Sequence, residues 1–182
     1  AYDEAKTVVG SDKFRFITTP EIAETDPYGE ELRSNRVFTP ELVFALDNDR
    51  ITASARAYYE GLSEDIVTSP NCYEADDLRL NAWLAYNSVN KINLIKYKRS
   101  SLAADSYKYP KACTPMLKLS EMYLIAVECC KLGEASVYLN TFRNARNCNS
   151  LALTEDNLLA TITGGAILGV GLALVLMGNA TT

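Results

Sequence analysis

Two consecutive helical patterns in the second half of the sequence constrain its fold more than any other feature. Ser120 is a good N-cap for a first helix that runs from Glu121 to Leu132. The polar residues of that helix, Glu121, Glu128 and Lys131, fall on one narrow stripe, and the other positions are apolar. The pattern therefore predicts a helix that is almost wholly buried.

A second helix is predicted directly after the first. We expect Gly133 to end the first helix and Glu134 to begin the next, in which apolar residues recur at i, i+3, i+4 and i+7 spacing: Ala135, Tyr138, Leu139, Phe142 and Ala145. Two helices joined by so few residues form an antiparallel hairpin, the unit of tetratricopeptide-like stacks. The predicted fold is mainly α, with tetratricopeptide-like helical hairpins, long irregular loops and a few short strands.

The remaining segments carry weaker structural signals. The N-terminus has the pattern of an amphipathic helix that ends at Gly10, and a further helix is predicted to start at Thr154. Alternating apolar residues from Glu41 to Leu46 predict a short strand. Residues 51–110 are rich in tyrosine and asparagine with little periodicity, so we expect mostly irregular structure there.

Composition excludes several classes of function. The 18 Lys and Arg residues against 23 Asp and Glu residues give a net charge of −5, which argues against sequence-independent binding of nucleic acid. The sequence contains no histidine, so Ser-His-Asp and Cys-His nucleophiles and His-ligated zinc are excluded. No cofactor is predicted, and among enzymes a glycosidase that uses two carboxylates stays open, because it needs no histidine.

The five cysteines contain no C-x-x-C pair, so no metal site is predicted. Cys129 and Cys130 lie in an apolar helical run and are interpreted as small buried hydrophobic residues. A disulfide between Cys113 and Cys148 remains open at this stage, because spacing alone does not determine pairing.

The two ends of the sequence are both unusual. The first residues, AYDEA, have no initiator Met and no leader pattern, so we expect the chain to begin within a longer protein. Residues 162–177 carry no charge, which is typical of a membrane tail, of a buried core helix, or of a segment not native to its neighbours. We treat residues 164–182 as an atypical apolar tail.

Residues 114–148 resemble the signature of SusD/RagB-type outer-membrane lipoproteins. The family pattern is a proline, a short strand that ends in Arg or Lys, then L-S/A-E-x-Y-L-I-x-A-E, a glycine, and A-x-x-x-L-N-x-x-R-x-x-R. The matching positions are Pro115, Lys118, Leu119, Ser120, Glu121, Tyr123, Leu124, Ile125, Glu128, Gly133, Ala135, Leu139, Asn140, Arg143 and Arg146. More loosely, TPELVFALDNDR, DDLRL and IKYK are similar to other family elements, so that residues 1–163 would form the C-terminal part of such a domain.

The resemblance implies a non-catalytic subunit that binds an oligosaccharide, such as a starch-like glycan, for nutrient uptake. Its implied partner is a SusC-like TonB-dependent transporter in the outer membrane. The implied location is the cell outer membrane, as a surface-exposed or periplasm-facing lipoprotein held by a lipid anchor that this chain lacks. The segment TGGAILGVGLALVLMGNATT departs from the charged, aromatic continuation of the family, through divergence, a frame change, truncation or uncertain assignment.

Candidate glycan ligands come from the chemistry of the residues rather than from a family motif. Aromatic faces stack on the C–H patches of sugars, and amides hydrogen-bond to ring hydroxyls. Five residues of these types lie close together in the sequence: Asn71, Tyr73, Trp83, Tyr86 and Asn87. We expect Trp83, the only tryptophan, to be the main sugar platform. Two alternatives are a helical-repeat interaction scaffold, soluble or tail-anchored, and a glycosidase that uses a pair of carboxylates.

Overall fold

The computed structural model describes residues 1–25, 31–48, 50, 73–86, 91–97 and 113–166. Roughly half of these residues lie in helices, and a few short strands are also present. The helices are α1 (Tyr2–Val9), α2 (Thr19–Ile22), α3 (Leu78–Trp83), α4 (Leu119–Cys129), α5 (Leu132–Asn144) and α6 (Glu155–Ala166), with a 3-10 turn at Thr39–Glu41. The strands are β1 (Ala23–Thr25), β2 (Glu31–Ser34), β3 (Leu42–Asp47), β4 (Leu84–Tyr86), β5 (Ile92–Leu94) and β6 (Cys113–Lys118).

Helices α4 and α5 are the two helices predicted from periodicity, and they pack against each other. Their boundaries differ from the prediction. The break lies at Cys130, whose backbone is extended at φ −104° and ψ 174°, and Gly133 lies in the first turn of α5. Ser120 is not the N-cap, because Lys118 precedes α4 and Ser120 is buried in its first turn. Helices α1 and α6 also pack on α4.

The burial of α4 is less complete than its apolar sequence predicts. Met122, Leu124, Ala126 and Val127 are buried. Cys129, by contrast, is exposed, so the interpretation of this residue as a buried hydrophobic one is wrong. It is the last residue of α4. Cys113 and Cys148 are both buried and both free, so no disulfide joins them.

Strand β3 confirms the strand predicted after residue 40, and its partner is far away in sequence. It pairs antiparallel with β6, with Leu42 opposite Lys118 and Leu46 opposite Thr114. Two further antiparallel pairs, β1–β2 and β4–β5, complete the described strands. Helix α3 and strands β4 and β5 lie inside the stretch predicted to be mostly irregular, so that prediction fails for these residues.

The two terminal helices agree with their sequence signals. Helix α1 ends at Gly10, whose N–H donates to the Lys6 carbonyl at 2.9 Å. Before α6, the Thr154 hydroxyl accepts the Asn157 N–H at 3.3 Å, and the Asn157 side chain accepts the Thr154 N–H at 2.8 Å. Such reciprocal bonds satisfy donors that the first helical turn leaves unpaired. Residues 167–182, most of the apolar tail, lie outside the described residues. Among the described helices, none combines the length and the apolar character needed to cross a membrane.

Candidate functional site

Trp83, the predicted sugar platform, lies in the core. Its side chain is only 3% exposed, and it stacks on Phe38 with 5.2 Å between ring centroids. Its indole N–H donates to the Arg36 carbonyl at 2.7 Å. With the ring packed and its donor satisfied, Trp83 offers no surface to a sugar. The expectation of an exposed ring is therefore wrong, and the reason is that α3 turns this residue inward, onto the segment before β3.

The other predicted ligand residues have different surroundings. Tyr73 is buried, with the Arg79 guanidinium carbon 5.5 Å from its ring centroid. Tyr86, at the end of β4, is 60% exposed and lies opposite Ile92 of β5. Asn71 and Asn87 lie outside the described residues. Of the three predicted ligands within the described part of the chain, Tyr86 is the one that lies on the surface.

A buried ion pair lies next to Phe38, the residue on which Trp83 stacks. Glu41, in the 3-10 turn before β3, accepts hydrogen bonds from both terminal nitrogens of Arg146, which follows α5. One carboxylate oxygen also accepts the Ile17 backbone N–H at 3.1 Å. Burial disfavours the charged carboxylate, but the charges of Arg146 and Lys118 prevail and hold the pKa of Glu41 below its ordinary value. The bidentate geometry is the strongest form of such a pair.

Aromatic rings surround the guanidinium of this pair. The Arg146 guanidinium carbon lies 5.2 Å from the ring centroids of Phe16 and Phe38 and 5.4 Å from that of Phe142. Phe38 has a left-handed backbone, with φ 60° and ψ 60°, which costs a bulky residue on the order of 1–3 kcal/mol. The packing of Phe38 between Trp83 and Arg146 holds its backbone in this conformation, so the core tolerates backbone strain at this residue.

Two lysines complete this charged cluster, which we define as Glu41, Lys96, Lys118, Glu121 and Arg146. The Nζ atom of Lys96 lies 4.4 Å from the Trp83 ring centroid, and the Nζ atom of Lys118 lies 5.3 Å from the same centroid. Burial is the main cause that lowers the pKa of Lys96 to about 8 and that of Lys118 to about 7. The charge of Lys96 also lowers the pKa of Lys118, whereas Glu121 and Glu41 raise the pKa of both lysines. Both lysines therefore lose a proton more readily than an exposed lysine does.

Glu121 is the second acid of the cluster. Burial raises the pKa of its carboxyl group, although a hydrogen bond from the Lys118 backbone N–H and the charges of Lys118 and Lys96 oppose this. No ion pair joins Glu121 to either lysine among the described residues. The cluster thus holds three basic groups and two acids, of which only Glu41 and Arg146 are joined directly.

A second polar network fixes α3 to the end of α5. Asp77 caps α3 by accepting the Arg79 N–H at 2.8 Å, and its carboxylate also pairs with the Arg79 side chain. The Cys148 thiol lies 3.5 Å from the same carboxylate, and burial followed by the Asp77 charge raises its pKa to about 11. Nearby, Glu74 pairs with Arg143. A thiol held neutral in this way is a packing group rather than a nucleophile.

The charged cluster is not predicted from the sequence. Lys118 and Glu41 belong to separate segments of the family resemblance, and no pattern relates them to each other. A signal was available in the sequence, because each of these charges is flanked by apolar residues that the pattern assigns to the core. Within the described ranges, no group of three or more Cys, Asp or Glu side chains is arranged to hold a metal ion.

Comparison with known proteins adds no assignment, since no family model, no curated protein and no solved structure matches this chain.

Proposed function

We propose that this chain is the C-terminal part of a SusD/RagB-like, non-catalytic glycan-binding subunit of an outer-membrane nutrient uptake complex. In this proposal a SusC-like TonB-dependent transporter is the partner, and an oligosaccharide is the ligand. The α4–α5 pair is then one tetratricopeptide-like hairpin of the scaffold. The proposal rests on the resemblance of residues 114–148, together with one structural observation.

That observation is the convergence of sequence segments that resemble the family separately. Glu41 belongs to the TPELVFALDNDR segment and binds Arg146, the last arginine of the 114–148 block. Leu78, in the DDLRL segment, donates its N–H to the Arg146 carbonyl at 3.0 Å. Lys96, in the IKYK segment, meets Lys118 at the Trp83 ring. Four segments identified only by resemblance thus meet around Arg146 and Trp83, which supports the view that they belong to one domain core.

Asn140 supports the same proposal from a different position of the block. Its side chain accepts the Leu151 N–H at 2.7 Å and donates to the Leu151 carbonyl at 3.1 Å. These bonds attach the segment before α6 to the hairpin. The asparagine of the L-N-x-x-R pattern therefore has a structural role, which is what we expect of a motif residue in a scaffold.

The proposed ligand surface lies around Tyr86, where the β4–β5 hairpin presents an exposed ring. Asn87 follows it directly in the sequence and carries the amide that a sugar hydroxyl needs. Trp83 and Tyr73 lie in the core cluster that also contains Leu84 of β4 and Ile92 of β5, and they are not proposed as sugar contacts.

The test is a binding titration of the 182-residue chain with a panel of fluorescently labelled neutral oligosaccharides that includes malto-oligosaccharides. We expect Tyr86→Ala to weaken binding at least about tenfold, because loss of one aromatic anchor removes roughly 1.4 kcal/mol or more. Tyr86→Phe keeps the stacking face and should bind nearly as well as the unchanged chain. Val137→Ala, at an exposed position on α5, is the control for a surface substitution unrelated to the hairpin.

Three results would count against the proposal. Binding that Tyr86→Ala leaves unchanged would remove this surface from the site. Failure to bind any sugar of the panel would favour the interaction scaffold, and release of shortened sugar products would favour the glycosidase.

A further inference from the structure

Strands β3 and β6 present large apolar side chains to solvent. Phe44 and Leu46 lie two positions apart in β3, so their side chains share one face of the strand. Met116 of β6 is next to Leu117, the partner of Phe44, and the pairing register passes over it. Phe44 is 54% exposed, Leu46 is 47% exposed and Met116 is 51% exposed. We call these three side chains the β3–β6 apolar surface.

A strand pair with such a surface needs further structure against it. Two antiparallel strands alone are marginally stable in water unless something packs on them. Exposed apolar side chains on a strand pair also favour association with other chains. Of the six large apolar side chains that are exposed in the described part of the chain, three belong to this one surface. We therefore expect another segment to cover it.

Residues 167–177 of the apolar tail have the composition that fits this surface. They consist only of apolar residues and glycine, with no charged, hydroxyl or amide side chain. In water such a segment gains free energy by burying its side chains against other apolar groups. The three side chains of the β3–β6 apolar surface carry no charge either, so contact between the two removes no charged side chain from water.

The tail is also long enough to reach β6 and β3. Ile162 of α6 packs on the core cluster that contains Val127 of α4. Val127 lies about 14 Å along α4 from Lys118, the last residue of β6, because a helix rises about 1.5 Å per residue. Residues 167–177 follow α6 directly and can span up to about 36 Å when extended. This exceeds the distance along α4 even with about 10 Å added for the spacing of packed helices.

We propose that residues 167–177 bind to the β3–β6 apolar surface of the same chain and cover Phe44, Leu46 and Met116. A tethered segment has an effective concentration on the order of millimolar, so it outcompetes a second copy of the chain at micromolar concentration. Of the three interpretations of the uncharged segment, this inference selects burial within the chain. It does not depend on the proposed glycan function.

The direct test is photo-cross-linking in the full 182-residue chain. Phe44 is replaced by p-benzoylphenylalanine, which keeps an apolar aromatic side chain at this position. The chain is irradiated at low micromolar concentration, and the monomeric product is digested and analysed by mass spectrometry. We expect cross-links from position 44 to residues 167–177 within one chain. The control has the same photoreactive residue in place of Val137, exposed on α5, and should give far less of that product.

Three results of the cross-linking would overturn the proposal. Cross-links that join two chains would assign the surface to a second copy. Cross-links that reach only residues other than 167–177 would assign it to another segment. Equal yields of the tail product from positions 44 and 137 would show that the tail has no preferred contact.

Hydrogen exchange of the full chain gives a second measurement. Leu174→Asp places a charge in the middle of the segment and should release it from the surface, because a charge is costly to bury. The amides of β3 and β6 should then exchange at least about tenfold faster. Leu159→Asp, at an exposed position of α6, adds the same charge and should leave these amides unchanged. Equal exchange of β3 and β6 in the unchanged and Leu174→Asp chains contradicts the proposal.

Discussion

Replacing Glu41 with glutamine should remove a large part of the stability of this chain. The side chain of Glu41 is fully buried, and that of its partner Arg146 nearly so. Glutamine has nearly the same shape and keeps one carbonyl oxygen for the Ile17 N–H, so the change removes mainly the negative charge. The Arg146 guanidinium then stays buried among three phenylalanine rings without a counterion.

The expected loss is about 3–5 kcal/mol of unfolding free energy, the usual effect of leaving one partner of a buried pair uncompensated. Replacing both partners at once, as Glu41→Gln with Arg146→Met, removes the buried charge altogether. The double variant should therefore lose less than the sum of the two single variants, with a coupling of about 2–3 kcal/mol. Since a domain typically has an unfolding free energy of about 5–15 kcal/mol, the single variants should still fold, with a low but measurable stability.

The assay is urea unfolding at pH 7, followed by far-UV circular dichroism. The control is Glu21→Gln, which breaks the bidentate pair of Glu21 with Arg15, a pair of similar geometry at the surface. We expect that control to cost less than about 1 kcal/mol. If Glu41→Gln costs no more than Glu21→Gln, or if the double variant shows simple additivity, the burial argument is wrong.

The pH dependence gives an independent check on the same pair. Since the pKa of Glu41 is lowered on folding, its contribution to stability is present above the unfolded pKa, near 4.3, and is lost as the pH falls through the folded value. The unchanged chain should lose this contribution at acidic pH, and the Glu41→Gln chain has none to lose. Parallel acid-unfolding curves for the two chains would contradict the assignment.

Two other predictions concern single residues of α4 and its start. Leu124→Ala should cost about 2–5 kcal/mol in urea unfolding, because Leu124 is buried, and should leave the glycan affinity of the folded fraction unchanged. A normal melting temperature together with abolished binding would show that Leu124 belongs to the glycan site and not to the scaffold. Between pH 7 and 9 the unfolded chain binds more protons at Lys118 and Lys96 than the folded chain, so stability should rise with pH, by up to about 1.4 kcal/mol per pH unit for each lysine. Lys118→Met should reduce that rise in urea unfolding at several pH values and leave the part due to Lys96, and an unchanged slope would refute the prediction.

The elements predicted best are those whose signal is local. Helices α4 and α5 follow from apolar spacing within each helix, and the start of α6 follows from Thr154, which caps it through a residue three positions on. The break between α4 and α5 was misplaced because a glycine is tolerated in a first helical turn, whereas the extended backbone of Cys130 decides where α4 ends. Boundaries depend on such single conformations, which spacing does not reveal.

The features that were not predicted depend on distant partners. Helix α3 has six residues, too few to show which side faces the core, so Trp83 was assigned to the surface. Glu41 and Arg146 are 105 positions apart, and no local pattern relates them. The exposure of Tyr86 is likewise a result of β4 pairing with β5. Sequence reasoning therefore identified the types of residue present near the proposed surface, but not which of them faces solvent.

The pairing of β3 with β6 has a consequence for how fast this chain folds. The two strands bring together residues such as Asn48 and Thr114, which are 66 positions apart and joined by a side-chain hydrogen bond at 3.2 Å. Closing so long a loop costs chain entropy before the contact is made, whereas α4 and α5 need only neighbouring residues. The helical hairpin should accordingly form early. The charged cluster at the end of β6 should form later, because it needs the pairing of β3 with β6.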